Sequence, residues 1–267
     1  MSRIADAFAS SRAAGRPAFI PFLTAGDPSP ERTAPLCEAL ARSGAGIIEL
    51  GVPFSDPLAD GPTIQRASQR ALSHGVGLAR TLDLASEVRA SVGVALVLFT
   101  YYNPILRMGE EEFASRAERS GVDGVLVTDL PLEEGQELRS CLISRGIDPI
   151  LLVAPTSGAR RIAMAAAQAR GFLYYISRTG VTGTQESLPA GLVDEIAAVR
   201  RAAALPVAVG FGISSPEQVA AAGSAADGVV VGSALISVVE ESIDISGRAA
   251  PDLEARLEAA ARRMFGT

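Results

Sequence analysis

Lysine is absent from this chain: all 24 basic side chains are arginines. A Schiff-base aldolase, which needs a buried strand lysine, is therefore excluded. Histidine occurs once, at His74 beside Gly75, where a helix would end. A multi-histidine metal site is excluded with it, and so is a metal-dependent epimerase that relies on histidine ligands. A Ser-His-Asp triad would have to recruit this one residue. Proton transfers in an enzyme of this composition fall to carboxylates. Cysteine is limited to Cys37 and Cys141. Far apart in apolar helical contexts, they read as small hydrophobes in a reducing compartment, not as a disulfide or metal pair.

Dense basic runs are also missing. Arg160-Arg161 and Arg200-Arg201 are isolated pairs, and 24 basic against 30 acidic side chains leave a net charge of −6. Nucleic-acid binding, which needs many phosphate contacts, does not fit. No window approaches the ~20 apolar residues of a membrane span. The opening MSRIADAFASSRAAGRP lacks the continuous apolar core of a secretory signal. These absences predict a soluble, cytoplasmic protein with no membrane or nucleic-acid partner. There is no linker, low-complexity tract or charged tail.

What is present is an apolar fraction of 48% in 267 residues, enough for one large domain or two small ones. Short β-branched runs predict strands at 18–23, 46–50, 95–100, 124–128, 149–153, 172–177, 207–210 and 228–231. Helical patterns fall between them, at 29–43, 64–92 (broken near Gly75-Val76-Gly77), 110–120, 133–145, 159–169, 190–203 and 216–222. Two more run from Ala234 and over 251–264. Eight strand-then-helix units predict an α/β protein, a (β/α)8 TIM barrel forming a single domain over 1–267 with extra helices. A doubly wound open sheet is the alternative. Its nucleotide-binding form wants a glycine-rich fingerprint after the first strand, and Thr24-Ala25-Gly26-Asp27-Pro28 is not one.

Glu49 stands out because it sits inside a strand. Alternation places Ile47, Glu49 and Gly51 on one face and Ile48 and Leu50 on the other. With Ile48 and Leu50 packed on outer helices, Glu49 points into the barrel near its C-terminal rim, where barrel enzymes keep their chemistry. Apolar surroundings would raise its pKa and let it give and take protons near neutral pH. A structural carboxylate paired with an arginine is the plainer reading. Asp60, in Asp60-Gly61-Pro62, reads equally as a turn aspartate or a functional acid, and Asp56 before Pro57 as a solvated loop acid.

Gly210-Phe211-Gly212 follows strand seven and leads into a helix start with Pro216 near its first position. Gly232-Ser233-Ala234 follows strand eight. Glycines let backbone approach an anion closely, and free N–H groups with the helix dipole attract it. Both pairs, at the two places where barrels hold phosphate, predict a phosphate site. Gly180 and Gly183, in the long polar loop 180–191, could add amides. Aromatics are scarce at 5%, yet Phe22, Tyr101, Tyr102, Tyr174, Tyr175 and Phe211 fall near strand ends. Core filling explains most of them; a flat apolar substrate part would explain Phe22, Tyr174 and Phe211 together.

The stretches ELGVPFSDPLADGPTIQ (49–65), PFLTAGDP (21–28), YYISRTGVTG (174–183) and GFGISSPEQV (210–219) resemble the tryptophan synthase alpha chain family, in the expected order over nearly the whole chain. The resemblance implies a (β/α)8 barrel that cleaves indole-3-glycerol phosphate into indole and glyceraldehyde 3-phosphate, with no metal or organic cofactor in this chain. It implies a pyridoxal-phosphate-dependent beta chain as partner in an αββα heterotetramer. By the same resemblance Glu49 and Asp60 are catalytic. Phe22, Ile64, Phe99, Leu126, Tyr174 and Phe211 form the indole pocket. Gly183, Gly212, Gly232 and Ser233 hold phosphate, and Arg178 and Thr182 belong to a lid loop. Pro53, Asp56, Pro57, Asn103, Asp129 and Pro131 meet the partner. A stand-alone indole-3-glycerol-phosphate lyase would use the same residues without a partner. A mainly allosteric binding subunit is disfavoured because both acids are retained.

Overall fold

The apolar runs picked out above all pair as strands, each within one residue of its expected limits. The computed structural model describes residues 2–176, 191–210 and 212–266. Its strands are β1 (Ala18–Thr24), β2 (Ile47–Gly51), β3 (Ala95–Thr100), β4 (Gly124–Val127), β5 (Asp148–Val153), β6 (Leu173–Ile176), β7 (Val207–Gly210) and β8 (Gly228–Val231). They pair in parallel in sequence order, and β8 returns to β1 to close a barrel. Closure removes both sheet edges and rules out the open doubly wound sheet.

Helices surround this barrel: α1 (Arg3–Ala13), α2 (Thr33–Arg42), α3 (Pro62–Ser73), α4 (Leu78–Ser91), α5 (Tyr102–Met108), α6 (Glu110–Arg119), α7 (Gln136–Ser144), α8 (Ala159–Gln168), α9 (Leu192–Ala202), α10 (Pro216–Gly223), α11 (Ser233–Glu241) and α12 (Leu253–Phe265). The expected helix at 29–43 opens instead as a 3-10 turn, Pro30–Arg32, before α2. The expected 64–92 segment is α3 and α4, separated at His74 to Gly77, with Gly75 at φ +74°. The expected helix at 133–145 starts three residues later, as α7.

The strand register fixes which side chains point inward. Phe22 pairs with Glu49, Glu49 with Val97, Val97 with Gly124, and Gly124 with Asp148. Leu152 pairs with Tyr174, Tyr174 with Ala208, Ala208 with Gly228, and Gly228 with Ala18. Side chains two apart share a face, so one consistent inner set runs round the barrel. The circuit gains four residues along β5 (Asp148 to Leu152) and four along β1 (Ala18 to Phe22), the stagger of eight expected of a (β/α)8 barrel.

That inner set is plugged from the N-terminal end by α1, which the sequence reading did not foresee. Ser2 caps it, accepting from the Ala5 amide at 3.3 Å, and Ile4 and Phe8 are its buried residues. A Cβ on Gly124 would lie 2.9 Å from Ile4 Cδ1, and one on Gly228 3.0 Å from Phe8 Cε1. Glycine is what lets the plug seat. Charged ties hold this end. Asp123 meets Arg3 at 2.9 Å and Arg89 at 2.6 Å, and accepts from the Leu96 amide at 2.8 Å. Asp227 meets Arg200 at 2.9 Å and accepts from the Val207 amide at 3.0 Å.

At the side of the barrel, α3 is locked to α11. Arg66 chelates Glu240 at 2.6 and 2.7 Å. Arg70 chelates the buried Asp27 at 2.7 and 3.0 Å and reaches Glu240 at 3.0 Å. His74 caps the C-terminus of α3 and is exposed. Cys37 is buried and Cys141 half-buried, both as free thiols.

Candidate active site at the C-terminal mouth

Glu49 is the next-to-last but one residue of β2 and shares the inner face with Phe22 and Val97 on either side. It is 1% exposed, and neither carboxylate oxygen has a hydrogen-bond partner among the described residues. The arginine-paired alternative for this residue is thereby overturned. Ionising it there would strand a charge in an apolar cavity, so burial pushes its pKa from 4.5 up to about 8. The carboxyl is therefore mostly protonated at neutral pH, yet close enough to its midpoint to cycle.

The walls around it are apolar and close-packed. Phe22 and Phe99 meet edge-on with centroids 5.5 Å apart. Gly51 makes room for that pair, because a Cβ there would fall 2.4 Å from Phe22 Cζ. Leu126 pairs with Phe99 in register and is fully buried. Tyr174 is buried on β6. Its phenol is pushed well above its ordinary range, first by burial and then by the field of Glu49. A Cβ on Gly210 would sit 2.2 Å from its hydroxyl oxygen. Ile64 is buried in the first turn of α3. Thr24, at the end of β1, carries a buried hydroxyl with no partner among the described residues; the sequence reading did not single it out.

Asp60 ends the loop after β2, one residue before the Gly61 cap of α3, and is 6% exposed. Burial raises its pKa from 3.8 to about 6, and a hydrogen bond from Tyr101 works in the opposite direction. The Tyr101 hydroxyl also accepts from the Ala59 amide at 3.1 Å. Gln65 closes the corner by donating to the Asp60 carbonyl at 2.8 Å. Tyr101 is an aromatic near a strand end in the sequence; its bond to the Ala59 amide, one residue before Asp60, joins two loops and leaves no local pattern.

On the other side of the mouth, Gly212 takes φ +87° and leads to α10, whose Ser215 caps the Gln218 amide at 3.3 Å with Pro216 at the start. Gly232 caps α11 and Ser233 opens it, so the N-terminal amides of both helices lie on the loops after β7 and β8. A Cβ on Gly232 would touch Phe22 at 3.5 Å, which brings this cap to the apolar wall. Arg178, Thr182, Gly183 and Phe211 lie outside the described residues, as do Ser177, Gly180 and Ala190.

The rim has a different character. Asp56 is exposed and Pro57 half-buried on the loop after β2, while Pro53 is buried beneath it. Asn103 is exposed in the first turn of α5, and Asp129 and Pro131 are exposed on the loop after β4. Asp129 accepts from the Tyr102 amide at 2.7 Å, which caps α5 from a neighbouring loop. Helix α5 was missed because Asn103-Pro104 reads as a turn. Pro104 in fact falls in the first helical turn, where its missing N–H breaks no intrahelical bond.

The described residues contain no cluster of three or more histidine, cysteine, aspartate or glutamate side chains arranged to hold a metal. None of their helices is long and apolar enough to cross a membrane. Chemically, the mouth combines a buried acid whose pKa is raised by burial, a second buried carboxyl, apolar aromatic walls and two helix N-termini.

Comparison with known proteins agrees with this geometry. The family model for "Tryptophan synthase alpha chain" matches residues 8–264. The tryptophan synthase alpha chain of Geobacter sulfurreducens is 52% identical over 240 residues, 90% of this chain and 91% of that relative. That of Solibacter usitatus is 48% identical over 264 residues, 99% of this chain and 97% of the relative. Among solved structures, Mycobacterium tuberculosis tryptophan synthase superposes with a TM-score of 0.86 at 37% identity, covering 98% of each chain. A tryptophan synthase complex from Pyrococcus furiosus gives 0.84 at 37% identity, covering 94% of this chain and 98% of that one. The chain belongs to the tryptophan synthase alpha chain family.

Proposed function

We propose that this chain cleaves indole-3-glycerol phosphate to indole and glyceraldehyde 3-phosphate and hands indole to a beta chain for tryptophan synthesis. The observation that carries the reading is Glu49, buried and inward-facing with no hydrogen-bond partner among the described residues, its pKa pushed by burial to about 8. Cleaving the bond between indole C3 and the glycerol C3′ must not leave a carbanion on the ring. Glu49, as the acid, protonates C3 and leaves a cationic indolenine. Asp60, ionised above about pH 6, accepts a hydrogen bond from the ring N–H and stabilises that charge. Glu49, now a carboxylate, takes the C3′ hydroxyl proton. The O–H electrons become the aldehyde C=O, and the C–C electrons return to the ring and neutralise it. Glu49 ends protonated, ready for another turnover. Two carboxyls in different environments thus take opposite roles near neutral pH.

Phe22, Ile64, Phe99, Leu126, Tyr174 and Phe211 are the proposed walls for the indole ring. Gly183, Gly212, Gly232 and Ser233 are the proposed phosphate cradle, with Arg178 and Thr182 in the lid. The similar chains from the Pyrococcus furiosus tryptophan synthase α2β2 complex support an αββα assembly here; pyridoxal phosphate is then expected in the beta chain. Asp56, Pro57, Asn103, Asp129 and Pro131, backed by Pro53, are the proposed docking rim. Leu58 on the loop after β2 and Leu106 in α5, 81% and 59% exposed, support it. The test is indole release from indole-3-glycerol phosphate, with and without a cognate beta chain. Strong stimulation supports the reading, equal high activity makes the chain a stand-alone lyase, and no activity in either case overturns it.

A further inference from the structure

Thr24 ends β1 on the inner face of the barrel. In register it lies opposite Gly51, as Phe22 lies opposite Glu49. Two rows of inward positions therefore cross β1 to β4 near the mouth. The lower row is Phe22, Glu49, Val97 and Gly124, and the upper row is Thr24, Gly51, Phe99 and Leu126. Each row carries one polar side chain, Glu49 in the lower and Thr24 in the upper. The two are 1% and 3% exposed, and neither has a hydrogen-bond partner among the described residues. A buried hydroxyl left unmet destabilises the fold. Valine would fill the same space without that cost, so packing does not explain the hydroxyl.

Phe22 marks what passes beside it. A Cβ on Gly232, the cap of α11, would meet Phe22 Cβ at 3.5 Å and Cδ1 at 3.6 Å, whereas one on Gly51 would meet Phe22 Cζ at 2.4 Å. The ring thus reaches from the loop after β8, past β1, to β2. A ligand with its anion on the α11 cap and its reacting carbon at Glu49 lies across this ring. Thr24 is the next inward residue of the same strand toward the mouth.

We propose that Thr24 is a specificity residue: its hydroxyl hydrogen-bonds the C2′ hydroxyl of the glycerol chain, between the phosphate and the bond that breaks. The proposal rests on the functional reading above for the ligand, but the unmet hydroxyl and its place in the barrel stand on the geometry. Glu49 is engaged with the C3′ hydroxyl, and C2′ is the next carbon toward the phosphate. A threonine hydroxyl has one hydrogen to give and lone pairs to accept, so it meets another hydroxyl in either sense. A ligand lacking that hydroxyl leaves Thr24 unmet, which is how a buried polar group rejects an analogue.

The test is calorimetric binding of glycerol 3-phosphate and of 3-hydroxypropyl phosphate, the same chain without its central hydroxyl, to the wild type, Thr24→Val and Thr24→Ser. The wild type should bind glycerol 3-phosphate about tenfold more tightly than the analogue. In Thr24→Val that affinity should fall about tenfold, while 3-hydroxypropyl phosphate stays within about twofold. Thr24→Ser should restore the preference, and kcat/KM for indole release should fall and return in the same two variants. Without ligand, Thr24→Val should unfold at no lower urea concentration than the wild type; a lower midpoint makes the hydroxyl structural and overturns the proposal. Equal losses for both phosphates, or none for either, overturn it even where indole release continues. A selective loss in a chain that releases no indole upholds the contact and sinks the functional reading instead. Binding of neither phosphate by the wild type overturns both.

Discussion

The two ends of the barrel use the same acidic side chains in opposite ways. At the N-terminal end, Asp123 is 9% exposed but meets two arginines and a strand amide. Asp227 likewise meets arginine and a strand amide. At the C-terminal end, Glu49 is just as buried and has no hydrogen-bond partner among the described residues, and Asp60 is buried without an arginine on it among them. A buried carboxylate with several donors stabilises a fold; one left without donors holds a proton ready for chemistry. The protein keeps stability and reactivity at separate ends of one barrel.

The largest expected effect lies at the mouth. Glu49→Gln should lower indole release on the order of 10⁴-fold, since one group serves as both acid and base. Glycerol 3-phosphate binding, measured by calorimetry, should survive. Wild-type-like turnover would break the comparison at once. The converse experiment is Asp123→Ala, which strands two guanidinium groups and a strand amide. It should destabilise the fold by about 3 kcal/mol in urea denaturation and leave kcat/KM of the folded enzyme unchanged.

Comparable in size but opposite in sign is the stability of Glu49→Gln. In the unfolded chain Glu49 titrates near its ordinary value of 4.5, and in the folded chain at about 8. Below 4.5 both states are protonated and the variant should match the wild type. Between the two values the unfolded chain releases the proton while the folded chain keeps it, so wild-type stability falls as pH rises. Glutamine avoids this, and the variant should be more stable on the order of 3 kcal/mol at pH 7. Denaturation curves at pH 4 and pH 7 check it. The smallest effect is expected from Arg12→Ala, whose partner Asp227 is 3.8 Å away and whose side chain is 73% exposed. It should change stability by under about 0.5 kcal/mol.

Legibility in the sequence followed the range of the interactions involved. The strands were readable because a buried parallel strand is a short β-branched run, and the inward face of Glu49 followed from alternation alone. The glycine-led helix starts after β7 and β8 were readable because a helix start after a strand has a local signature. Helix α1 was not, because only Ile4 and Phe8 of it are buried and two apolar residues make no periodic pattern. Nor was the bond between the Ala59 amide and Tyr101, or the clamp of Arg70 on Asp27, because such pairs meet only after the chain has closed. Asp60 itself was ambiguous on its residues, and only the family resemblance favoured a catalytic role over a turn acid.

The account depends most on Glu49 keeping its proton in the folded chain at neutral pH. Difference infrared spectroscopy, wild type minus Glu49→Gln, reads this from the carboxyl C=O band as pH is raised. A band that persists at pH 7 and fades with a midpoint near 8 is the predicted result. A band already gone by pH 6, with a midpoint near 4.5, would mean an ionised glutamate and would contradict the account.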